Sequence, residues 1–457
     1  MLTYELKKSP GVPLYEALYR CIRADILSGV LKPGQKLPSK RALAQNLEVS
    51  KITVEGAYNQ LLAEGYIRGV EKVGYFVEEI PQMETVSPLP AAPAPAESAP
   101  LLDLTGAGSE KFPFSVWSRL QREVMLDYGE KLLLPLPAQG IPELREAIAG
   151  HLLAFRGMAV DPGNILVGAG TDFLYNLLIQ LLGRDKVYAV EDPGYGKIRK
   201  IYAAGGVRCI SARMDGQGVR PDGLENARVL HLSPSHHFPT GLVTPVNRRQ
   251  ELLAWARTVD GYVIEDDYDS EFRFDTHPKP AMMSLDRGGR VIYMNTFSKS
   301  LAPSIRISYM VLPPALMAVF REKLGFYSCT VSSFEQYTLA QFLSRGYYEK
   351  HLNRMRKRYH QKRDAVIDCI RTGPLAGRAE IMEQDAGLHF LMRLDTALPD
   401  ETLRRRAAEH GLRLALLSDY YQQREQAPQH VLVVNYSGIE LEKLPQALIR
   451  LAEIIKE

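Results

Sequence analysis

The chain has 457 residues and a formal net charge of +3, with 46% hydrophobic and 24% charged residues. This composition is typical of a soluble globular protein of two or three domains, and so small a net charge does not by itself indicate nucleic-acid binding. The four cysteines are far apart and indicate neither a metal site nor a disulfide framework: Cys21, Cys209, Cys329 and Cys369. Because no signal peptide or membrane-spanning run is evident, we expect a cytoplasmic protein.

The first elements predict a helix-turn-helix. Residues 13–29 begin with a proline, end with a glycine and carry apolar side chains at helical spacing, which predicts a first core helix. Ser39 and Ser50 then predict the caps of a short helix and of a second helix that runs to about Glu64. The first turn of that second helix, residues 51–53, would enter a DNA major groove.

A wing follows, because residues 65–77 alternate into a predicted hairpin. Basic side chains gather around the helix-turn-helix with Glu48 as the single acid, and this is a local phosphate-binding footprint on a nearly neutral protein. The predicted contacts to double-stranded promoter DNA are Lys36, Ser39, Lys40, Arg41, Ser50, Lys51, Thr53, Lys72 and Gly74. The alternative is a three-helix module that binds another protein.

The domain organisation is expected to follow composition. Residues 10–79 form the predicted DNA-binding domain, residues 80–100 are rich in proline and alanine and predict a semi-extended linker, and residues 101–457 form the body. From residue 161 to about 312, strands alternate with helical stretches, which predicts an α/β domain with a mostly parallel sheet. A smaller α+β lobe is predicted over about residues 365–457. A basic helical region precedes it, interpreted as mostly a solvated face, with contact to the DNA backbone as the alternative.

A lysine loop carries the strongest chemical signal. An apolar strand at residues 291–294 leads into a polar loop with Lys299 at its centre. A lysine amine can condense with an aldehyde where its surroundings favour the neutral form. Thr296, Ser298 and Arg306 offer two hydroxyls and a guanidinium to a phosphate. An aldehyde together with a phosphate describes pyridoxal phosphate.

A second strand end offers a partner for the cofactor ring. The apolar strand that starts at Tyr262 leads directly into carboxylates and a tyrosine. A buried carboxylate keeps a pyridine nitrogen protonated, and Asp266 is the predicted partner of that nitrogen. Tyr268 is predicted to donate a hydrogen bond to the phenolic oxygen of the ring. Taken alone, the segment also fits a solvated acidic turn.

Two further strand ends complete the prediction. A glycine loop before a predicted helix would expose the backbone N–H groups of Gly170, Thr171 and Asp172 to an anion. Another strand ends in Tyr195, which would lie against the face of the ring. Four strand ends that offer phosphate donors, a stacking ring, a carboxylate and a lysine favour a pyridoxal-phosphate site.

These segments resemble known families. Residues 101–457 resemble the fold-type I pyridoxal-phosphate proteins of the aspartate aminotransferase superfamily, and residues 13–77 resemble the GntR winged-helix domain. Segments 235–241, 265–272 and 296–303 resemble the MocR branch of the GntR regulators in particular. The resemblance implies a two-domain transcription factor that binds pyridoxal phosphate and forms a homodimer.

Three positions depart from the patterns of these families. Transaminases usually place asparagine where this chain has Phe238, and His237 or His236 is expected to replace it. The arginine that pairs with a substrate α-carboxylate is replaced by Val433, and no arginine lies between residues 431 and 438. Many GntR proteins carry a basic residue where this chain has Glu55. Within the small lobe, His389 is interpreted as a core histidine and, alternatively, as a ligand contact.

The function predicted from these features is a transcriptional regulator whose body senses pyridoxal phosphate or an amine or amino-acid effector. An incoming amine would displace Lys299 and change the geometry that controls DNA affinity. The alternative is an active aminotransferase that carries a DNA-binding domain, with Lys299 also acting as general base. A repressor that has lost the cofactor is disfavoured, because Asp266, Tyr268, Lys299 and Arg306 are all present.

Overall fold

A computed structural model describes residues 2–4, 6, 13–79, 102–106, 112–273, 279–383 and 387–456. The chain divides into two compact units, which we call the head (residues 1–97) and the body (residues 98–457). The predicted linker, residues 80–100, lies outside the described residues.

The head contains three helices followed by a hairpin. Its elements are α1 (Leu14–Leu27), α2 (Lys40–Asn46), α3 (Lys51–Ala63), β1 (Ile67–Val70) and β2 (Gly74–Val77). The strands pair antiparallel, with Ile67 opposite Val77. The side-chain oxygen of Ser39 accepts the N–H of Ala42 at 3.1 Å, and that of Ser50 accepts the N–H of Thr53 at 3.1 Å. Both predicted caps are therefore confirmed, and so is the winged arrangement.

The apolar side chains of these elements form one core. Leu18, Ile22 and Tyr58 are fully buried in it. Leu2 and Tyr4 also pack against this core, and the Tyr4 hydroxyl donates to Asp25 at 2.6 Å. The head therefore includes residues before position 10, which its sequence pattern did not predict.

The body is built from many short strands and longer helices. Its strands are β3 (Leu102–Asp103), β4 (Ile165–Gly168), β5 (Val187–Asp192), β6 (Arg208–Asp215), β7 (Gly218–Val219), β8 (Val229–Leu232), β9 (Tyr262–Asp266), β10 (Val291–Thr296), β11 (Ser308–Val311), β12 (Ala379–Met382), β13 (His389–Leu394), β14 (Leu412–Arg413) and β15 (Val431–Asn435). Its helices are α4 (Phe114–Tyr128), α5 (Pro142–Arg156), α6 (Thr171–Leu182), α7 (Gly196–Ala204), α8 (Val246–Thr258), α9 (Met282–Leu285), α10 (Pro314–Lys323), α11 (Ser333–Ser344), α12 (Tyr347–Thr372), α13 (Asp400–Glu409) and α14 (Leu444–Ile454).

The large sheet has the order β4-β11-β10-β9-β8-β5-β6-β7. Strands β10, β9, β8, β5 and β6 are parallel, whereas β11 runs antiparallel to both of its neighbours and β7 runs antiparallel to β6. The mostly parallel sheet that the sequence predicts is confirmed. As a result, the carboxyl ends of β4, β10, β9, β8 and β5 lie at one edge, where ligand sites form in α/β folds.

Helices cover both faces of this sheet. Alternate residues of β10 point to opposite sides, so that Tyr293 joins the apolar cluster of α5 and α11, whereas Ile292 and Met294 join that of α6 and α10. A strand buried on both faces reads as a continuous apolar run, as residues 291–294 do.

The small lobe contains an antiparallel sheet of order β12-β13-β15. These strands lie where the sequence predicts strands. Its core also includes Met355 and Tyr359 of α12, and Leu102 of β3, which pairs with β14. The lobe is therefore built from both ends of the body and receives α12 well before residue 365.

The basic side chains of α12 divide into two groups. Those exposed to solvent are Lys350, Arg354, Lys357 and Arg358. In contrast, Arg356 donates to the backbone oxygen of Glu271 at 2.7 Å, Lys362 donates to that of Ser437 at 2.7 Å, and Arg363 is buried. The basic residues of this helix were interpreted as mostly a solvated face, and these three are the exceptions, because the long helix is packed on two sides. Across the described ranges, no helix has the length and apolarity needed to cross a membrane.

Candidate cofactor and DNA sites

Asp266 closes β9 at the carboxyl edge of the sheet, next to β10. One carboxylate oxygen, Oδ2, accepts the Tyr175 hydroxyl at 2.5 Å and lies 3.4 Å from the Nε2 atom of His231. The other, Oδ1, is buried and has no hydrogen-bond partner among the described residues. A buried carboxylate with one oriented and one open oxygen fits a protonated pyridine nitrogen. Tyr175 and His231 were not predicted, because they come from distant parts of the chain.

Tyr268 lies beside a histidine and a second carboxylate. Its hydroxyl is 3.2 Å from Nδ1 of His236, and the same nitrogen is 2.8 Å from Oδ2 of Asp269. Burial, followed by the charge of Asp269, raises the pKa of Tyr268 well above its usual value. A Cβ at Gly387 would overlap the His236 ring, so glycine permits this packing. The phenol therefore remains protonated near neutral pH and is able to donate a hydrogen bond.

His237 faces a different set of groups. Its Nδ1 atom is 2.6 Å from the Thr240 hydroxyl and its Nε2 atom is 3.5 Å from a carboxylate oxygen of Glu191. Burial lowers the pKa of His237 to about 3, so the ring is neutral. Of the two histidines before Phe238, the structure therefore brings His236, and not His237, to Tyr268.

Lys299 lies in the loop after β10 and is partly exposed. Within the described ranges, its Nζ atom makes no hydrogen bond or ion pair, so the side chain is accessible to an aldehyde. Burial first, and the neighbouring His236 second, lower the pKa of His389 well below its usual value, and the charge of Lys299 acts in the same direction. His389 is buried with its Nε2 atom 3.1 Å from the backbone oxygen of Pro239, so it is a satisfied histidine that borders this site.

A cation lies at the amino end of α6. Arg306, whose φ of 51° is left-handed, has its Nη2 atom 3.2 Å from Oδ2 of Asp172. Gly170 has a φ of 87°, and a Cβ at this position would overlap the Arg306 guanidinium. The predicted anion donor Gly170 N–H instead donates to the backbone oxygen of Gly168 at 2.8 Å. The N–H groups of Thr171 and Asp172 remain at the positive end of the helix.

The hydroxyls predicted to bind phosphate form a local network. Oγ1 of Thr296 accepts the Ser308 hydroxyl at 2.8 Å and the N–H of Ser298 at 3.2 Å. Thr296 is buried at the end of β10, whereas Ser298 is partly exposed. The Thr296 hydroxyl therefore shapes the loop, and the Ser298 hydroxyl is the more accessible of the two.

Aromatic rings border the opening of the site. Tyr195, half exposed after β5, packs edge-on against Phe238 at 5.9 Å between ring centres, and Phe238 packs in the same way against Tyr420 at 5.0 Å. Val433 lies in an apolar cluster against which Phe238 and Tyr420 pack. The position expected to hold a carboxylate-binding arginine is therefore apolar.

The residues of this edge fit pyridoxal phosphate. An available amine, an open buried carboxylate oxygen, a protonated phenol and a guanidinium at a helix start match the aldehyde, the ring nitrogen, the phenolic oxygen and the phosphate. The described residues contain no group of three or more histidine, cysteine or acidic side chains arranged to hold a metal ion.

The head presents basic and apolar side chains around the start of α3. Arg41 and Lys51 are exposed, and between Lys51 and Thr53 the side chain of Ile52 is 79% exposed. Lys40 is less accessible to DNA than Arg41 and Lys51, because its Nζ atom lies 2.7 Å from Oε1 of Glu55. The hydrogen bond to Glu55 raises the pKa of Lys40. Lys40, a predicted phosphate contact, therefore forms an ion pair within the head.

Lys36 lies against strand β2 of the wing. A Cβ at Gly74, where φ is 134°, would lie 3.1 Å from the Lys36 side chain, and Lys36 also forms an isolated β-bridge with Phe76 of β2. Lys72 has a φ of 61° in the turn between β1 and β2 and is exposed. The turn therefore carries one accessible cation at the tip of the wing.

Comparisons with known proteins agree with this division of the chain. Residues 105–432 match aminotransferase class I and II, and residues 14–77 match the bacterial regulatory proteins of the gntR family. The HTH-type transcriptional regulator YhdI of Bacillus subtilis is 37% identical over 97% of this chain and 96% of its own length. The probable rhizopine catabolism regulatory protein MocR of Rhizobium meliloti is 32% identical over 95% of this chain and 92% of its own length.

Among solved structures, the kynurenine aminotransferase of Pyrococcus horikoshii, solved in complex with PMP, resembles the body with a TM-score of 0.68. It is 26% identical and covers 79% of this chain and 91% of that chain. The class I and II aminotransferase fold implies dependence on pyridoxal phosphate.

Proposed function

Since this chain belongs to the MocR-type regulators of the GntR family and is a DNA-binding transcriptional regulator, we propose that its body holds pyridoxal phosphate on Lys299 and senses an amine or amino-acid effector. The observation that carries the proposal is the open, buried oxygen of Asp266. A carboxylate oxygen buried without a partner is costly unless a ligand satisfies it.

Each part of the cofactor has a matching group on this chain. When bound, pyridoxal phosphate supplies an aldehyde that reacts reversibly with amines. Lys299 would hold that aldehyde, Oδ1 of Asp266 would accept the ring N–H, and Tyr268 would donate to the phenolic oxygen with His236 fixing its position. Thr171, Arg306 and the Ser298 hydroxyl would bind the phosphate. His237 has less support, since it contacts Thr240 and Glu191.

Tyr195 and Phe238 would border the cofactor and exclude water from one side of it. Their edge-to-face packing extends to Tyr420 and to the apolar cluster of Val433. A carboxylate brought against this cluster would lose hydration without meeting a cation, which is costly. This favours sensing over turnover of α-amino acids, because a transaminase must hold that carboxylate in place.

The head would bind DNA through the first turn of α3. Lys51, Arg41 and Lys36 would contact phosphates, whereas the exposed Ile52 side chain is suited to contact with a thymine methyl group. The wing, with Lys72 at its tip, would reach the neighbouring groove. Ser39, Ser50, Thr53 and Gly74 would hold the backbone in this arrangement, and Lys40 would act through its ion pair with Glu55.

A second copy of the chain is the partner that best fits the body surface. Large apolar side chains are exposed together on α4 and in the segment after it: Phe114, Met125, Leu126, Leu133 and Leu134. Monomeric proteins rarely expose so many large apolar groups within one short stretch. A homodimer would cover them and would also place two heads on two DNA half-sites.

The decisive experiment is an absorbance spectrum of the purified full chain supplied with pyridoxal phosphate. We expect a visible band that Lys299→Ala abolishes and that Lys323→Ala, an exposed lysine of α10, retains. A second arm selects a duplex from a random library and measures its affinity with and without a panel of amines. No band in the wild type would refute cofactor binding, and an affinity unchanged by every amine that alters the band would refute sensing.

The alternative function is an active aminotransferase with a DNA-binding head. It is favoured by the side chain of Lys299, which makes no hydrogen bond or ion pair within the described ranges and acts electrostatically on the buried, neutral His389. Single-turnover mixing of the loaded protein with amino acids tests it. Complete conversion to the pyridoxamine form would support an enzyme, whereas a band shift without conversion would support a sensor.

A further inference from the structure

Lys197, in the first turn of α7, is paired with a residue of the phosphate-binding region. Its Nζ atom lies 2.6 Å from Oδ2 of Asp172. The same oxygen is 3.2 Å from Nη2 of Arg306. Two cations from different elements therefore share one carboxylate oxygen at the amino end of α6.

The charges of these three groups explain why two cations are needed. Arg306 and Asp172 alone would cancel, and the region would offer an incoming anion no net attraction. A phosphate monoester carries about two negative charges at pH 7, and Asp172 repels it at close range. With Lys197 the group has a net positive charge, and it acts together with the free N–H groups of the first turn of α6.

We infer that Lys197 is a second cation of the phosphate subsite, which Asp172 holds in place together with Arg306 until a phosphate monoester competes for both. This inference rests on the proposed cofactor site and adds to it a residue and a charge balance. Asp172 acts as a stand-in for the phosphate, because its carboxylate keeps the two cations ordered before the ligand arrives.

The accessibility of the three side chains fits this exchange. Lys197, Arg306 and Asp172 are between about one third and one half exposed, so the ion pairs open at low cost. Lys200, one turn later on α7, is exposed and makes no ion pair within the described ranges. It is therefore a matched control for the effect of removing one lysine from this helix.

The test compares pyridoxal phosphate with pyridoxal, which lacks the phosphate, in titrations of the cofactor-free full chain followed by absorbance. Lys197→Gln should weaken the binding of pyridoxal phosphate about fivefold, as expected for a partly exposed charge pair, and leave pyridoxal nearly unaffected. Lys197→Arg should restore the affinity, and Lys200→Gln should behave like the wild type. Asp172→Asn should tighten the binding of pyridoxal phosphate, because it removes the competing and repelling charge.

Three results would overturn the inference: Lys197→Gln matching Lys200→Gln, an equal loss for both vitamers, or weaker binding in Asp172→Asn. An equal loss would indicate that Lys197 supports the fold of the loop and not the phosphate. A wild-type chain that binds neither vitamer would instead refute the proposed function, so the two failures are distinguishable. Melting curves of each variant verify that the body is folded.

Discussion

Glu271 is a buried carboxyl of the body whose ionisation couples pH to stability. It is buried, with Oε1 accepting the side-chain N–H of Asn295 at 3.1 Å and Oε2 without a partner among the described residues. Burial, reinforced by the charge of Asp267, raises the pKa of Glu271 to about 7. The carboxyl is therefore neutral in the folded chain at mildly acid pH and becomes charged in place as pH rises.

Glu271→Gln should stabilise the body at about pH 8 and have little effect at about pH 5. The folded-state pKa is raised, so the native chain keeps its proton where the unfolded chain loses it, and stability falls as pH rises towards 7. The variant escapes a penalty on the order of 2–3 kcal/mol above that pH. Urea unfolding at both pH values measures the change in the free energy of unfolding, and Glu322→Gln, at an exposed glutamate, is the control. An equal effect at both pH values would contradict the assignment.

A second residue-scale prediction concerns the glycine at the start of α6. Gly170→Ala should destabilise the body by about 1–3 kcal/mol, since φ of 87° with ψ of 164° is accessible almost only to glycine. It should also weaken the binding of pyridoxal phosphate, because the new Cβ displaces the Arg306 guanidinium. Gly196→Ala, where a Cβ meets open space, is the control. Normal affinity in Gly170→Ala would show that Arg306 does not contact the phosphate.

At this scale, the sequence located individual site residues better than it located their hydrogen-bond and ion-pair partners. Asp266 and Lys299 follow apolar runs, and that local pattern suffices to locate them at strand ends. The partner of Asp266, Tyr175, and the partner of Asp172, Lys197, are 91 and 25 residues away and carry no local signal. Such pairs depend on how helices pack across the sheet, which one sequence does not encode visibly.

At the scale of elements, the caps of the head are the features most readily read from sequence. Ser39 and Ser50 were predicted because a hydroxyl before a helix satisfies a free N–H of its first turn, and this rule is local. Strands such as β10 were equally easy to predict, because burial on both faces of the sheet requires a continuous run of apolar residues. The packing of Leu2 and Tyr4 on the head and the pairing of β3 with β14 were missed, since each joins segments with no common pattern.

The cap of α3 provides a prediction that separates stability from DNA binding. Ser50→Ala should lower the free energy of unfolding of the head by about 1 kcal/mol, because the N–H of Thr53 loses its acceptor. Ser50→Asp should retain the cap and the stability, yet weaken DNA binding by placing a negative charge beside the phosphates. Thermal melting and duplex titration of the full chain measure the two effects. Equal DNA affinity in Ser50→Asp would place this helix end away from the DNA.

At the scale of the whole molecule, the head and the body are separate compact units within one regulator. The apolar residues that line the site in the body predict whether the effector carries a carboxylate. An amine without a carboxylate should shift the cofactor band at lower concentration than the corresponding α-amino acid, since Val433 and its apolar neighbours offer no cation. Titrations with matched pairs of amine and amino acid measure the difference. Tighter binding of the amino acids would point to a carboxylate partner elsewhere.

The assembly of two chains is also testable at this scale. Leu126→Asp, at a side chain 78% exposed, should shift the chain towards a monomer in sedimentation experiments and reduce its affinity for a two-half-site duplex. Ile449→Asp on α14, where isoleucine is 48% exposed, is the control. A dimer that tolerates Leu126→Asp would place the interface on another surface.

The ion pair between Lys40 and Glu55 has a consequence for how relatives of this chain diverge. A buried or half-buried cation that loses its acid partner is left uncompensated, and two cations facing each other at the start of α2 and in α3 would repel. Positions 40 and 55 should therefore change together during evolution: lineages with a basic residue at 55 should lack lysine at 40. Such lineages should also bind different operator sequences, because the residue at position 55 then presents a positive charge to the DNA.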